Sequence, residues 1–345
     1  MIRTIILLLL WLPTVSYAGS EDGRFDIYWV DVEGGAATLM VTPANESILI
    51  DTGNPGLRDS NRIAHVATKV AGLRRIDHLI TTHYHRDHYG GASMLSTLLP
   101  IGTVYDNGIF DGMPDNPGKD YFEFKSKQRI VINPSDILPV RQIAGGVIIK
   151  LTCIAARKTF VTKALVDTPE NNDETCATHR PKDRDGSDNA NSVATLIEFG
   201  SFRFYDAGDL TWNQEVQLVC PKDLVGEVDV YQVTHHGLDT SNNPVVLQTI
   251  KPRVAIMNNG HTKGSLPEVF ANLQATKSLQ AIYQVHKNLR PDGSVNNVAD
   301  EFIANHKAAD ECDGNYIKLS VAPDSKSYTV SIPANGHEKS YQTKP

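Results

Sequence analysis

The sequence is poor in positive charge, in cysteine and in long apolar runs, and each shortage excludes a class of function. Lys and Arg number 33 against 40 Asp and Glu, a formal net charge of -7 that becomes one unit more negative if Arg3 is removed. Non-specific nucleic-acid binding draws on basic surface, so an acidic chain without a basic stripe is a poor candidate for it. The four cysteines, Cys153, Cys176, Cys220 and Cys312, never fall in Cys-x-x-Cys spacing, which argues against a structural zinc ribbon. The apolar stretch from Ile5 to Val15 is too short to span a bilayer. It lies between Met1-Ile2-Arg3 and Ser16-Tyr17-Ala18, the order of a charged region, an apolar core and a small-x-small cleavage site. Residues 1–18 therefore read as a secretory signal peptide, and 19–345 as the mature chain. No cysteine follows the cut after Ala18, so a lipid anchor is not expected either. The expected product is secreted or periplasmic, without a membrane anchor, in a compartment where disulfides persist. Pairing Cys153 with Cys176 would tie down the polar segment between them, a constraint on the unfolded chain of about 3 kcal/mol. Sequence repeats, low-complexity tracts and Pro-rich linkers are also missing, which leaves one domain of over three hundred residues.

Metal-ligand chemistry, by contrast, is concentrated. The segment Thr81-Thr82-His83-Tyr84-His85-Arg86-Asp87-His88-Tyr89-Gly90-Gly91 holds three imidazoles and a carboxylate within six residues, after the apolar strand Ile76-Asp77-His78-Leu79-Ile80. Side chains two apart on extended backbone point the same way, so His83 and His85 are placed to grip one ion. Asp87 and His88 follow as the backbone turns toward Gly90-Gly91, and face a second ion beside the first. Mixed imidazole and carboxylate donors suit zinc best, with manganese or iron as substitutes.

Two later strands end in the same vocabulary. Phe202-Arg203-Phe204-Tyr205-Asp206-Ala207-Gly208-Asp209 places Asp209 at a sharp strand exit, where it would bridge both ions, with Asp206 as the rival. Val228-Asp229-Val230-Tyr231-Gln232-Val233-Thr234-His235-His236-Gly237 ends in paired histidines. His235 is taken as the remaining ligand and His236 as the residue that supports it or meets substrate. The metal set is thus His83, His85, Asp87, His88, Asp209 and His235.

On these residues the chain resembles the metallo-β-lactamase superfamily, whose signature is a His-x-His-x-Asp-His loop, a bridging Asp and a late His. Within it, the sequence looks most like the branch containing the metallohydrolase domain of bacterial DNA-uptake competence proteins and choline-phosphate esterases. Asp31-Val32-Glu33-Gly34-Gly35-Ala36-Ala37-Thr38-Leu39, Ile48-Leu49-Ile50-Asp51-Thr52-Gly53, Asn191-Ser192-Val193, Gly208-Asp209 and His235-His236-Gly237 carry that likeness. The resemblance implies an α/β fold, the four-layered αββα sandwich, and hydrolysis of ester, amide or phosphodiester bonds. Two departures stand out. Ala36 occupies a position where the competence branch usually has Asp. The third histidine that β-lactamases, glyoxalases and lactonases give the first metal is also missing, since His179 in a polar loop is the one histidine between positions 89 and 234. An open first ion suits phosphoester binding, whereas His179 as a ligand would favour a β-lactamase or lactonase.

The expected chemistry uses two divalent cations roughly 3.5–4 Å apart, whose charge lowers the pKa of a bridging water toward about 7 and so generates the hydroxide nucleophile. No serine or cysteine nucleophile is needed. Asp51, at a strand end, is expected to orient a ligand from behind. Asp87, His236, His261 and His286 are the candidate catalytic residues, with Asp106 and Asn107 as further polar strand exits. The expected partner is a small-molecule or phosphodiester substrate; an iron-dependent oxidoreductase and a non-catalytic metal-dependent binding protein are the alternatives from other classes. Strands are expected near 25–31, 37–42, 47–51, 101–106, 147–154, 158–163, 191–199, 201–206, 228–234, 252–258, 281–286, 314–321 and 327–332. Helices are expected near 59–72, 119–130, 213–219, 243–249, 266–275 and 297–306, a mixture that argues for a layered α/β domain.

Overall fold

The structure is a computed structural model that describes residues 22–166 and 171–345; the expected signal peptide lies outside the described residues. Its strands alternate side chains between two apolar environments, as a strand buried on both faces must. In β1 (Phe25–Trp29), Phe25, Ile27 and Trp29 enter the central core while Tyr28 faces an outer one. The same division runs through β2 (Thr38–Val41), β3 (Ser47–Ile50), β4 (Ile76–Ile80) and β5 (Ile101–Asp106), and β6 (Ser126–Val131) closes that side of the sheet as its edge. The second sheet holds β7 (Ile149–Ala156), β8 (Thr159–Phe160), β9 (Ala194–Phe199), β10 (Phe202–Asp206), β11 (Val230–Gln232), β12 (Val254–Met257), β13 (Ala281–His286) and β14 (Ile303–Asn305). The chain then returns to the first sheet with β15 (Ile317–Val321), β16 (Ser327–Ile332) and β17 (His337–Gln342).

The strand orders are β17-β16-β15-β1-β2-β3-β4-β5-β6 and β14-β13-β12-β11-β10-β9-β7-β8. Between the sheets lies a core that includes Trp29, Ile50, Leu151, Phe204 and Ile256. On the outer face of the first sheet, Ile63 and Leu95 from the helices Leu57–His65 and Ala92–Leu98 pack against Leu39, Leu49 and Leu79. On the outer face of the second, the helices Pro244–Ile250 and Pro267–Ala275 contribute Val246, Leu247 and Val269 against Tyr231, Ala255 and Met257. Helices, sheet, sheet and helices make the four layers expected.

Within each sheet one block is parallel: β3 to β6 in the first, β10 to β14 in the second. Parallel strands discharge their carboxyl ends at one edge, which is where sites of such sheets form. Asp51, His83, Asp209, His235 and His236 all follow strands of these blocks.

Three local expectations fail for physical reasons. The helix expected over 119–130 is only Lys119–Phe122; Ser126–Val131 instead pairs in parallel with β5 as an exposed polar edge, whose Lys127, Gln128 and Arg129 read like a solvated helix face. The helix expected over 297–306 is one short turn, Asp300–Phe302, followed by β14, which is recruited by pairing with β13. Cys153 does not pair with Cys176. It is fully buried in the central core on β7, while Cys176 at the end of a short helix bonds Cys220 with a Cα–Cα distance of 5.8 Å.

Candidate metal centre

The ligand loop begins where β4 ends. Thr82 donates its backbone N–H to Asp51 Oδ1 at 2.8 Å and its hydroxyl to Asp51 Oδ2 at 2.7 Å, which ties the exits of β3 and β4 together. His83 and His85 then lie side by side, ring centroids 4.7 Å apart, as alternation on extended backbone requires. A short helix, Arg86–Tyr89, turns Asp87 and His88 inward. Opposite them, Gly208 takes a φ of +53°, and a Cβ there would meet Thr82 Cβ at 2.8 Å. Glycine therefore allows the β10 exit to close on the β4 exit and deliver Asp209.

Asp209 Oδ2 is the convergence point. It stands 3.1 Å from His88 Nε2, 3.3 Å from His236 Nε2, 3.5 Å from His235 Nε2 and 3.8 Å from His83 Nε2. Asp87 Oδ2 is 3.3 Å from His236 Nε2 and 3.5 Å from His88 Nε2. His88 and His236 point their Nε2 atoms at each other across 3.1 Å, a contact that a shared cation between them would explain. His83 Nε2, fully buried, has no hydrogen-bond partner. Four imidazole nitrogens crowding one carboxylate oxygen, one of them without a hydrogen-bond partner, fit divalent cations well.

Behind these atoms sits a supporting layer. His88 Nδ1 is 2.6 Å from Asp51 Oδ2, so the carboxylate fixes the imidazole with Nδ1 as donor and leaves Nε2 facing Asp209. Ser192 Oγ contacts His83 Nδ1 at 3.4 Å and accepts the Asp209 backbone N–H at 3.2 Å. His235 is held by Thr240 and Ser241 on Nδ1 and by Asn189 on Nε2.

Charge shapes the site. Burial opposes ionisation of Asp209 and Asp87, but His236 and His88 beside both, His235 beside Asp209 and Lys263 beside Asp87 outweigh it and hold both carboxyls well below the usual range. Burial likewise opposes a charge on His88, yet Asp209, Asp51 and Asp87 around it raise its pKa well above the imidazole norm. Burial drives His83 down, helped by His88, and takes His235 to about 4. The protein thus presents anionic carboxylates and, at His83 and His235, neutral donors, which is the state metal binding needs.

His235 and His236 both have positive φ, 56° and 54°, in consecutive non-glycine residues. Such backbone costs on the order of 1 kcal/mol or more per residue, and it aims both rings at the cleft. The tight group within 4.8 Å is Asp87, His88, Asp209 and His236. His236 rather than His235 is the paired histidine in it. His85 stands apart with Nε2 3.4 Å from Asp115 Oδ2, partly open to solvent. Asp206 is bound into its own turn by the Gly208 N–H and lies outside the group. Asp106 and Asn107 are engaged with Arg129 and Tyr121, and with Arg157 and Asn191. His179 meets Asn243 Nδ2 at 3.0 Å, away from the group.

His261 and His286 do not join these ligands. They face Asp31 and Glu33 instead, in a second group with Cys312. The residues that sequence reasoning missed are Lys263, whose ammonium pairs with Asp87, and Asp115, from the loop after β5. Neither carries a local signal; a lysine and an aspartate in polar loops acquire meaning only through the fold.

A model of the metallo-beta-lactamase superfamily matches residues 30–198, a stretch that contains Asp51 and the ligand loop. The competence protein ComA of Neisseria gonorrhoeae is 24% identical over 228 residues, covering 66% of this chain and 26% of that protein, so the likeness spans about a quarter of the relative's length. Among solved structures, the metallo-beta-lactamase fold protein YhfI from Bacillus subtilis covers 75% of this chain and 96% of its own at 11% identity and a TM-score of 0.45. CmlA, a diiron beta-hydroxylase from Streptomyces venezuelae, covers 68% and 44% at 15% identity and a TM-score of 0.40. With two sheets between outer helices and a His-x-His-x-Asp-His loop at their edge, the chain belongs to the metallo-beta-lactamase superfamily.

Proposed function

We propose that this protein is a binuclear metal-dependent hydrolase of phosphoesters, phosphodiesters foremost, that acts outside the cytoplasm. The observation that carries the reading is the convergence of four imidazole nitrogens on Asp209 Oδ2 within 3.1–3.8 Å. His83, His85 and Asp209 would hold one cation, and Asp87, His88, Asp209 and His236 the other, with His235 supporting Asp209 from its other side. Zinc suits the mixed donors best, and manganese or iron are the substitutes. Two such ions would lower the pKa of a water and polarise the substrate oxygen.

The chain's own groups do the rest. Asp51 keeps His88 in one tautomer. Lys263, less than half exposed beside Asp87, supplies a fixed positive charge for an anionic phosphoryl oxygen. Asp87, held between Lys263 and two imidazoles, stands where it would take the proton of the attacking water. His179 in contact with Asn243 leaves the first ion's third-histidine position without that residue, which favours a phosphoester over a β-lactam or lactone.

Export is part of the proposal. The Cys176–Cys220 bond supports an oxidising compartment, and no helix among the described residues is long and apolar enough to cross a membrane. The test is elemental analysis of the purified protein with chromogenic phosphomonoesters, phosphodiesters, lactones and β-lactams. Turnover led by a phosphodiester and restored to the stripped protein by zinc is expected. Turnover confined to β-lactams, or bound iron with oxygen consumption, overturns the reading.

A further inference from the structure

The loop after β1 carries a second ligand group that the proposed hydrolysis does not use. Asp31, Glu33, His286 and Cys312 each present a donor atom, all within 4.8 Å of one another. The side chains of Asp31 and His286 are fully buried and that of Glu33 is 3% exposed. Arg62 takes the outer oxygens of both carboxylates, Asp31 Oδ2 at 2.7 Å and Glu33 Oε1 at 3.0 Å. Their inner oxygens, Asp31 Oδ1 and Glu33 Oε2, turn toward His286 Nε2 at 2.6 and 3.4 Å. Glu33 Oε2 is buried without a hydrogen-bond partner, and so is His261 Nδ1, 3.4 Å away. A buried, unpartnered carboxylate oxygen aimed into a cage of imidazole and thiol is a costly arrangement unless something fills it. Cys312 Sγ donates toward Asp31 Oδ2 at 3.2 Å, with Asn305 Oδ1 a second acceptor at 3.3 Å, and accepts the Gly314 backbone N–H at 3.4 Å, so the thiol faces the carboxylates.

We propose that Asp31, Glu33, His286 and Cys312 form a separate mononuclear site for a thiophilic divalent cation, zinc by its donor set, with His261 as an adjacent fifth donor. Zinc bonds near 2.0–2.2 Å to nitrogen or oxygen and 2.3 Å to sulfur put tetrahedral ligands roughly 3.3–3.6 Å apart, close to the spacing here. The short Asp31–His286 contact opens to admit the ion, and the Cys312 proton leaves to solvent. Two carboxylates, one thiolate, one guanidinium and one dication then sum to zero charge, which is what a buried site requires. Arg62 is the outer partner that orients the carboxylates. A thiol must lose its proton to ligate, so binding releases a proton and strengthens as pH rises.

The site is a clamp. It joins the β1–β2 connection to the end of β13 and to the β14–β15 connection. It also reaches the hydrolytic centre through backbone: Ala36 N–H, five residues after Asp31, donates to Asp87 O at 3.1 Å.

Cobalt substitution tests this independently of the hydrolase proposal, because the ligand loop, Asp209 and the His235–His236 pair contain no sulfur. The stripped full chain titrated with cobalt(II) is expected to show a thiolate-to-cobalt charge-transfer band, kept in Asp209→Ala and absent from Cys312→Ser. Zinc content is expected to fall by about one ion per chain in His286→Gln, with near-ultraviolet circular dichroism confirming the fold. Cobalt bound to the wild-type chain without that band overturns the site, as does a band that survives in Cys312→Ser. If the serine variant fails to fold, protection of the wild-type Cys312 thiol from alkylation by one equivalent of zinc decides the question, and unprotected alkylation refutes the proposal.

Discussion

Two clusters of carboxylate and imidazole sit at the strand exits, one around Asp209 and one around Asp31, and they differ in how their negative charge is met. Around Asp31 the cation is covalently part of the fold: Arg62 pairs with Asp31 and Glu33 while 15% of its side chain remains exposed. Around Asp209, among the described residues, no arginine enters, and a partly exposed lysine, Lys263, pairs with Asp87. Four imidazoles, from His83, His88, His235 and His236, gather there instead, with His85 beside His83. Imidazole is a donor that can be neutral or charged, so this cluster can exchange protons for metal, whereas guanidinium cannot. The difference separates a region whose negative charge is met by exchangeable groups from one in which a permanent guanidinium already meets part of it.

Removing Asp209 is the harshest way to break this comparison. Asp209→Ala deletes the oxygen on which four nitrogens converge, and loss of the hydrolytic metals with a fall in turnover of at least about 10³-fold is expected. Elemental analysis and initial rates check it. A variant that keeps both metals and wild-type turnover would show that the convergence has no role.

Arg62→Met attacks the other cluster. It leaves Asp31 and Glu33 buried without their guanidinium, a loss on the order of 3–5 kcal/mol for breaking a buried pair. Burial raises the Asp31 carboxyl, but His286 and Arg62 beside it win and hold it below the usual range. A depressed carboxyl stabilises the fold above its unfolded pKa and loses that contribution as pH falls through the folded value. The wild-type advantage over Arg62→Met in urea unfolding should therefore shrink in acid. An equal gap at pH 7 and at pH 3 would show that the pairing contributes nothing.

How much of this arrangement the sequence discloses follows from distance along the chain. His83, His85, Asp87 and His88 share one loop, with strand alternation placing the first two and the turn before Gly90-Gly91 the others, so the loop is legible. So is a layered α/β domain, from the mixture of apolar strands and helices, while the αββα order comes from the resemblance that the ligand loop carries. The preference of the cleft for His236 over His235 is not legible, since it depends on two successive left-handed residues that no local rule anticipates. Arg62, Lys263 and Cys312 are silent for another reason: each meets its partner across 29 to 281 positions, and nothing near them in sequence differs from solvated surface. Edge strands β6 and β17 escape because their polar, exposed patterns lack the alternation that burial imposes. Cys153 misleads because proximity in sequence to Cys176 says nothing about which layer each occupies.

A third buried carboxylate sharpens the contrast by having neither a metal cage nor a guanidinium. Glu215 is fully buried, accepts the Asn243 backbone N–H at 3.1 Å, and leaves Oε1 without a partner. Burial pushes its carboxyl up to about 7 from an ordinary 4.5. Because the folded value is the higher one, the folded state holds the proton more tightly, and stability falls as pH rises from about 4.5 to about 7. Glu215→Gln mimics the protonated form. It is expected to gain on the order of 2 kcal/mol over wild type at pH 8 and almost nothing at pH 5, read from urea midpoints. A variant less stable than wild type at pH 8 would mean that the anion is held by contacts stronger than those seen.

The smallest expected effect belongs to Lys263, and it tests whether this cation of the open cluster serves substrate or fold. Its side chain is 38% exposed, so its pairing with Asp87 contributes at most about 1 kcal/mol to stability, and removing it should leave the unfolding midpoint nearly unchanged. A charge placed to meet a phosphoryl oxygen acts differently. Lys263→Ala is expected to lower kcat/KM for an anionic phosphodiester about tenfold, equivalent to about 1.4 kcal/mol, and to spare an uncharged ester. Rising salt should weaken the wild-type advantage, since exposed charge is screened. If the neutral and anionic substrates lose equally, Lys263 acts through Asp87, and the open cluster is tuned from within in the same way as the closed one.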